Sequence, residues 1–319
     1  MTKRTRYFMA GSAAVLAAGL CTGLVAYYAG GFQSVSAAPV ANELRYVPAD
    51  AAVVAYADVR SIMDSDLRMR LKAAMPMHPE GQEEFRAQTG IDIEKDIDYV
   101  VAAATGVSGN PNGLIVARGR FNETQLESLA REHGGQVEDY KGKRLITSPA
   151  SQAHQVSLAF LEAGLVAIGT KPTVQSAIDA QMSSHSITSN SEMMDLVADI
   201  ASNSNAWAVG RFDSIAQQAK LPAEVASRVP PIKWFAASGH VNGGISGTLR
   251  AEALDDASAE NLRKIVSGAL AFGEMAAKSD PKAAALINSL QLSGTGRTVA
   301  LSFSVPADLL AMIPQQIEK

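Results

Sequence analysis

The chain has 319 residues, with 28 Lys or Arg against 32 Asp or Glu and a formal net charge of −4. That length suggests two domains at about 100–200 residues each, and the lack of a basic excess excludes nucleic acid as an expected partner. A single cysteine, Cys21, excludes an intramolecular disulfide and any CxxC or zinc-ribbon site.

Lys3, Arg4 and Arg6 open the chain, and no further charge appears until Glu43. The most apolar stretch, 8–32, would be ~37 Å long as a helix, enough to cross a bilayer core of ~30 Å. The apolar core of a cleaved signal peptide is shorter, about 7–15 residues. We therefore expect a cytoplasmic basic tip over 1–7 and one transmembrane signal-anchor over 8–32. Everything after it then lies outside the cytoplasm of a bacterial inner membrane, in the periplasm. Tyr27 and Tyr28 fall where an interfacial aromatic belt would sit. An alternative stays open: Val35 and Ala37 are small residues placed for cleavage, which would release a soluble periplasmic or secreted protein. Leu20 before Cys21 does not fit a lipidation signal, which needs a small residue there. Gly19 and Gly23 form a GxxxG, a spacing that can seat a second helix but that also arises by chance in Gly-rich segments.

Residues 33–49 read as a Ser/Ala/Pro tether. A strand follows over 53–59, then one helix with Met63, Leu67, Leu71 and Ala74 on a single face. "MPMHPEGQ" (75–82) breaks it. "IDYVVAAATG" (97–106) and "LIVARGRF" (114–121) are strands around the turn signal "GNPNG" (109–113). Asn122 is placed to cap the next helix, with Gln125 three residues on. "QVEDYKGKRLITS" and "QVSLAFLEAGLVAIGT" read as hairpins turning at Lys141–Gly142 and Ala163–Gly164. Pro172 opens a helix as a first-turn proline.

The order of elements then repeats. "NAWAVGRFDSIAQQAKL" (205–221) mirrors "AVVAYADVRSIMDSDL" (52–67), and "IKWFAASGHVNGGISGTLRAEAL" (232–254) mirrors "IDYVVAAATGVSGNPNGLIVARGRF" (97–121), with Tyr99 falling on Trp234. We expect an α+β protein with two tandem copies of one antiparallel sheet-plus-helices unit, 50–182 and 195–319, joined by a polar linker over 183–194. Aligning Ser61-Ile62 with Ser214-Ile215 sets Asp58 opposite Arg211. An acid shared by both copies is thus excluded at this register, and Asp58 reads as a corner that satisfies the open N–H groups of the next helix.

No HExxH, GxSxG, Walker A or GxGxxG string is present, and no catalytic residue is assigned. "SDPK" (279–282) spells the serine–lysine pattern of penicillin-recognising enzymes, but the KTG strand that chemistry needs is absent. A cap before Pro281 is the simpler reading. "SGTGRT" (293–298) reads as a hairpin turn. No cofactor is expected. Met75, Met77 and His78 bring soft thioethers and an imidazole together, a set that suits Cu(I), although Met is also a common filler of irregular cores. Trp234 and Phe235, beside Pro230 and Pro231, compose a candidate contact surface, with core packing as the competing role for Trp234.

The opening "YVPADAAVVAYADV" (46–59) resembles a loose group of uncharacterised bacterial exported and membrane-anchored proteins with a Pro-Ala-Asp entry into an apolar strand. The resemblance implies repeated α+β units and an envelope location, and implies no activity. The expected function is a non-enzymatic, membrane-anchored binding or scaffolding module with a protein partner or a homo-oligomer. An envelope enzyme or metal handler is the alternative.

Overall fold

The computed structural model describes residues 40–74, 80–105, 112–149, 155–201, 204–212, 230–279 and 281–307. One antiparallel sheet of twelve strands runs through them. The first seven strands are β1 (Ala51–Ala57), β2 (Ile97–Thr105), β3 (Asn112–Gly119), β4 (Gln136–Tyr140), β5 (Lys143–Thr147), β6 (Ser157–Glu162) and β7 (Leu165–Gly169). The rest are β8 (Ala206–Arg211), β9 (Ile232–Val241), β10 (Gly244–Ala253), β11 (Gln291–Ser293) and β12 (Thr298–Pro306). Their order across the sheet is β11-β12-β10-β9-β8-β1-β2-β3-β7-β6-β5-β4. The protein is therefore α+β, with a large antiparallel sheet and several helices.

The helices are α1 (Val40–Glu43), α2 (Val59–Met63), α3 (Asp66–Ala74), α4 (Glu80–Thr89), α5 (Ile93–Asp96), α6 (Glu123–Glu132), α7 (Lys171–Ser183), α8 (Ser191–Ala201), α9 (Asp256–Ala276) and α10 (Pro281–Asn288). Their starts follow local chemistry. Asn122, Thr170 and Asp255 each accept a hydrogen bond from the backbone N–H three residues on, at α6, α7 and α9. Pro172 stands in the first turn of α7, and Pro281 is the first residue of α10. The stretch read as one helix after β1 is two. Arg60 accepts from the Asp64 N–H and closes α2, and the Ser65 hydroxyl then accepts from the Arg68 N–H at 3.2 Å and starts α3. A short polar pair that caps one helix and begins another outcompetes a continuous apolar stripe.

The hairpins turn where the sequence places them. Lys141 and Gly142 both have positive φ (51° and 78°), and Asp139 Oδ1 accepts from the Gly142 N–H at 3.0 Å. Gly164, at φ 70°, turns β6 into β7, and Gly294 and Gly296, at 99° and 55°, lie between β11 and β12.

Alternation along the strands divides the apolar residues between two faces. Val54 and Tyr56 of β1, Val101 and Ala103 of β2, Leu114 and Val116 of β3, and Trp207 and Val209 of β8 belong to the main cluster. It is covered by Val174, Ala177 and Ile178 of α7 and by Met193, Leu196 and Val197 of α8. The opposite face carries Val100, Ala117, Ile146, Phe160 and Val166 under Leu126 of α6. Two segments outside the sheet also enter the main cluster. Leu44, Tyr46 and Val47 are buried in it, as is Ile187, whose N–H donates to the Val47 carbonyl at 2.8 Å. Pro48 and Ser186 form an isolated bridge beside them. The stretch at 183–194, read as a polar linker, thus contains a residue packed against the end of the stretch read as a tether.

Among the described residues no helix is long and apolar enough to cross a membrane. The span expected at 8–32 lies outside them.

Candidate functional site

The densest polar arrangement lies where residues 43–46 meet β2, β3 and β6. Glu43 is 1% exposed. Its Oε1 accepts from the Tyr99 hydroxyl at 3.0 Å and from Arg118 Nη2 at 2.5 Å. Arg118 is held from two further sides, by the Tyr99 oxygen at 3.3 Å from Nε and by the Ala163 carbonyl at 3.3 Å from Nη1. Its Nη2 also lies 3.6 Å from Glu162 Oε2. Glu162 accepts in turn from the Tyr46 hydroxyl at 2.8 Å and forms an ion pair with Arg45. The second oxygen of Glu43 is buried and has no hydrogen-bond partner.

The strand pattern explains how these groups meet. Tyr99 and Arg118 are directly opposite each other on β2 and β3. Each lies near the end of its strand, where polar tips reach a wet rim while their stems stay on the apolar face. The electrostatics follow from burial and pairing. Burial opposes charge on Glu162, but the Tyr46 hydroxyl and the Arg45 and Arg118 guanidiniums outweigh it and hold the carboxyl below its usual range. Burial and then the Glu162 carboxylate push the Tyr46 phenol up to about 12, so it remains a hydrogen-bond donor at neutral pH. Burial works against the Arg118 charge, but the bonds to Glu43 and Tyr99 overcome it and raise its pKa. The site is a clasp for residues 43–46, built from groups that bond to one another and leave Glu43 Oε2 and Arg45 Nε without a hydrogen-bond partner.

A second polar corner follows β1. Asp58 caps α2, its Oδ1 accepting from the Ser61 N–H at 2.8 Å. Asn205, 5% exposed just before β8, accepts the Asp58 N–H through its carbonyl at 2.7 Å and donates from its side chain to the Ser61 hydroxyl at 3.3 Å. Arg60 pairs with Asp98, and the nearly buried Arg68 pairs with Glu94. Asp58 therefore has the corner role expected of it. Burial, ahead of the Ser61 bond, raises its pKa above the usual 3.8.

That direction makes a testable statement. A carboxyl whose pKa is raised on folding binds more protons when native, so its contribution to stability is present below pH 3.8 and is lost as pH rises through the folded value. Asn caps a helix about as well as Asp. Asp58→Asn should therefore match or slightly exceed the parent in stability at pH 7, and the difference should shrink as the pH is lowered toward 3.8. Urea melts at pH 7 and pH 4 measure it. A loss above about 1 kcal/mol at pH 7 would assign the carboxylate a role beyond capping.

Met75, Met77 and His78 lie outside the described residues. Trp234 is 5% exposed and belongs to the main cluster, so the indole is core. Phe235 points to the opposite face and is half-buried. Beside them Lys233 pairs with Glu192 of α8. Among the described residues no group of three His, Cys, Asp or Glu stands close enough to hold a metal ion. Sequence reasoning missed the clasp. The signals for it were Glu43, the first charge after a long uncharged run, and Arg118, a charge inside the apolar strand "LIVARGRF".

No family model matches the chain, and no curated protein matches it. Among solved structures, crystal form I of TP0453 is similar at 10% identity with a TM-score of 0.46, covering 86% of this chain and 97% of that one. Crystal form IV of TP0453 gives 9% identity, the same TM-score and coverage of 86% and 96%.

Proposed function

We propose that the protein is a non-enzymatic binding or scaffolding module of the bacterial envelope, carried on one N-terminal span, with two tandem copies of an antiparallel α+β unit in the periplasm. The observation that carries this reading is the seam between β1 and β8. Ala55 faces Ala208 there, with Val54 opposite Val209 and Tyr56 opposite Trp207. A half-turn about the Ala55–Ala208 pair exchanges the other two pairs with each other. The same step carries Val101, opposite Tyr56, onto Ala236, opposite Val209, so that Tyr99 falls on Trp234. It carries Val116 onto Arg250 and Ala167 onto Ala300, pair by pair to β7 and β12. This is also the register in which Ser61-Ile62 aligns with Ser214-Ile215.

Two copies joined edge to edge make a long platform, and extending a platform serves contact more directly than catalysis. The clasp fixes residues 43–46 to the sheet, so a span ending near 32 would hold the body close to the bilayer. The alternative is an envelope enzyme or a copper or other metal handler, the metal reading resting on Met75, Met77 and His78.

Affinity purification of the full chain from membranes solubilised in mild detergent tests the two against each other. The expected result is a protein that resists high-salt washing of the membranes and co-purifies with a stoichiometric protein partner or a second copy. N-terminal sequencing that begins near Ala38 would overturn the anchor. A monomer carrying one equivalent of copper, lost on replacing Met75, Met77 and His78 by alanine, would overturn the scaffold in favour of the metal handler.

A further inference from the structure

The sequence holds two Asn-Gly pairs, Asn112-Gly113 and Asn242-Gly243. Such a pair is reactive by its covalent nature. The backbone nitrogen of the second residue can attack the side-chain amide of the asparagine, and a glycine there has no Cβ to hinder the approach or restrict the backbone. The attack needs a backbone that the fold does not hold still.

The fold treats the two pairs differently. Asn112 and Gly113 lie in β3, opposite Thr105 and Ala104 of β2. Asn242 and Gly243 lie between β9 and β10, and both are exposed. Val241 and Ile245 are the facing pair that flanks this turn. The Asn242 N–H donates to the Gly244 carbonyl at 2.9 Å, and the Gly243 carbonyl accepts from the Ala307 N–H at 3.2 Å. Neither bond restrains the two groups that react. Among the described residues, no hydrogen bond holds the Gly243 N–H or the Asn242 side chain.

We infer that Asn242 is a self-modification site, converting in the folded protein to aspartate and isoaspartate with water as the only co-reactant. The Gly243 nitrogen bonds to Asn242 Cγ, the Cγ–Nδ2 bond breaks, and ammonia leaves with the proton that the Gly243 nitrogen gives up. Water then opens the cyclic imide. Attack at Cγ gives aspartate, and attack at the backbone carbonyl gives isoaspartate, whose main chain runs through Cβ and Cγ. Both products carry a new negative charge. The turn closes one end of the cluster in which Val241 and Ala307 are buried with Ala57, Ile62 and Leu67. Isoaspartate lengthens the main chain by one carbon before Gly243 and so moves the carbonyl that receives the Ala307 N–H. An aged chain is thereby loosened where β9, β10 and the end of β12 meet.

The reaction needs neither membrane nor partner, so its test is separate from that of the scaffolding reading. The full chain is incubated in mild detergent at mildly alkaline pH, and its peptides are followed by mass spectrometry. The peptide with Asn242 should gain the mass difference between an amide and an acid, and should become a substrate for an isoaspartate methyltransferase. Asn112 should convert at least about tenfold more slowly in the folded protein, and the two rates should come within about threefold of each other in urea. Gly243 is not in left-handed backbone, and a side chain added there would meet nothing within 4 Å, so Gly243→Ala fits the fold. It should slow conversion at 242 about tenfold at an unchanged melting temperature. Hydrogen exchange at Ala307 should be faster in the converted chain than in the parent. An Asn242 that stays intact, equal rates at 112 and 242 in the folded protein, or a Gly243→Ala chain that converts at the parent rate would each overturn the inference, as would unchanged exchange at Ala307 after conversion.

Discussion

Replacing Trp207 by alanine is expected to destabilise the protein by about 4 kcal/mol, within the roughly 3–5 kcal/mol range for removing a fully buried aromatic. Trp207 is 2% exposed, and its ring stacks on Tyr56 with centroids 5.8 Å apart and planes 25° apart. Tyr56 in turn lies 6.0 Å from Tyr99. The tryptophan is thus one end of an aromatic row, with Tyr56 in its middle, that crosses the β1–β8 seam. Truncation removes its transfer free energy and leaves a cavity bounded by strands that cannot all close in, because both are paired on their far sides as well. Trp207→Phe keeps a ring on Tyr56 and should cost less than half as much. Urea denaturation gives the two values, and hydrogen exchange shows where the loss falls. The amides of Val54 and Tyr56 should lose protection before those of β5 and β6, which lie far from the seam. A loss below about 1.5 kcal/mol for the alanine variant would mean that the seam is not a cooperative part of the fold.

Arg118→Met is expected to cost about 3 kcal/mol, the lower end of the roughly 3–5 kcal/mol seen when one partner of a buried ion pair is removed. The reason is asymmetry. Glu43 is almost wholly buried while the Arg118 side chain is 26% exposed, so the substitution strands the carboxyl that water cannot reach. Glu43 Oε2 already has no hydrogen-bond partner, and losing Arg118 would leave Oε1 with Tyr99 alone. Two comparisons separate this cause from lost packing. Arg45→Met removes a pair whose side chains are 40% and 36% exposed and should cost under about 1 kcal/mol. Combining Glu43→Leu with Arg118→Met removes both charges and should recover at least half of the loss. A double variant no more stable than Arg118→Met alone would show that packing of the arginine stem, not the stranded carboxyl, carries the effect. Either way residues 43–46 should be released together, because Tyr46 and Arg45 share Glu162 with the same clasp.

Much of the fold was legible because it depends on groups a few residues apart. Asn122 caps a helix through a bond to the residue three positions on, Pro172 opens one in its first turn, and Lys141–Gly142 turns a hairpin because both residues adopt left-handed backbone. Asp58 could be read as a cap for the same reason. The α+β class followed from the order of elements, apolar strand and hairpin segments set off by turn signals and followed by helical stretches. Those features are local, and the sequence by itself determined them.

What the tertiary structure decided lies at long sequence separation. Glu43 meets Arg118 across 75 positions, and nothing in a local pattern says which basic residue a lone acid will find. Trp234 could serve either as contact surface or as core, because a strand of small residues presents no clear inner face. Only the packing of α8 over β8 and β9 put the indole inside. The split between α2 and α3 depended on Ser65 turning its hydroxyl back to a backbone N–H, a choice that spacing of apolar residues does not record. Helix α9, which leaves Ile265, Phe272 and Met275 exposed, shows the same limit. Its stretch 265–273 is uncharged all round, and which part is covered depends on what the rest of the chain brings to it. Local hydrogen bonds are set by neighbours in sequence, and burial is set by whichever distant surfaces meet.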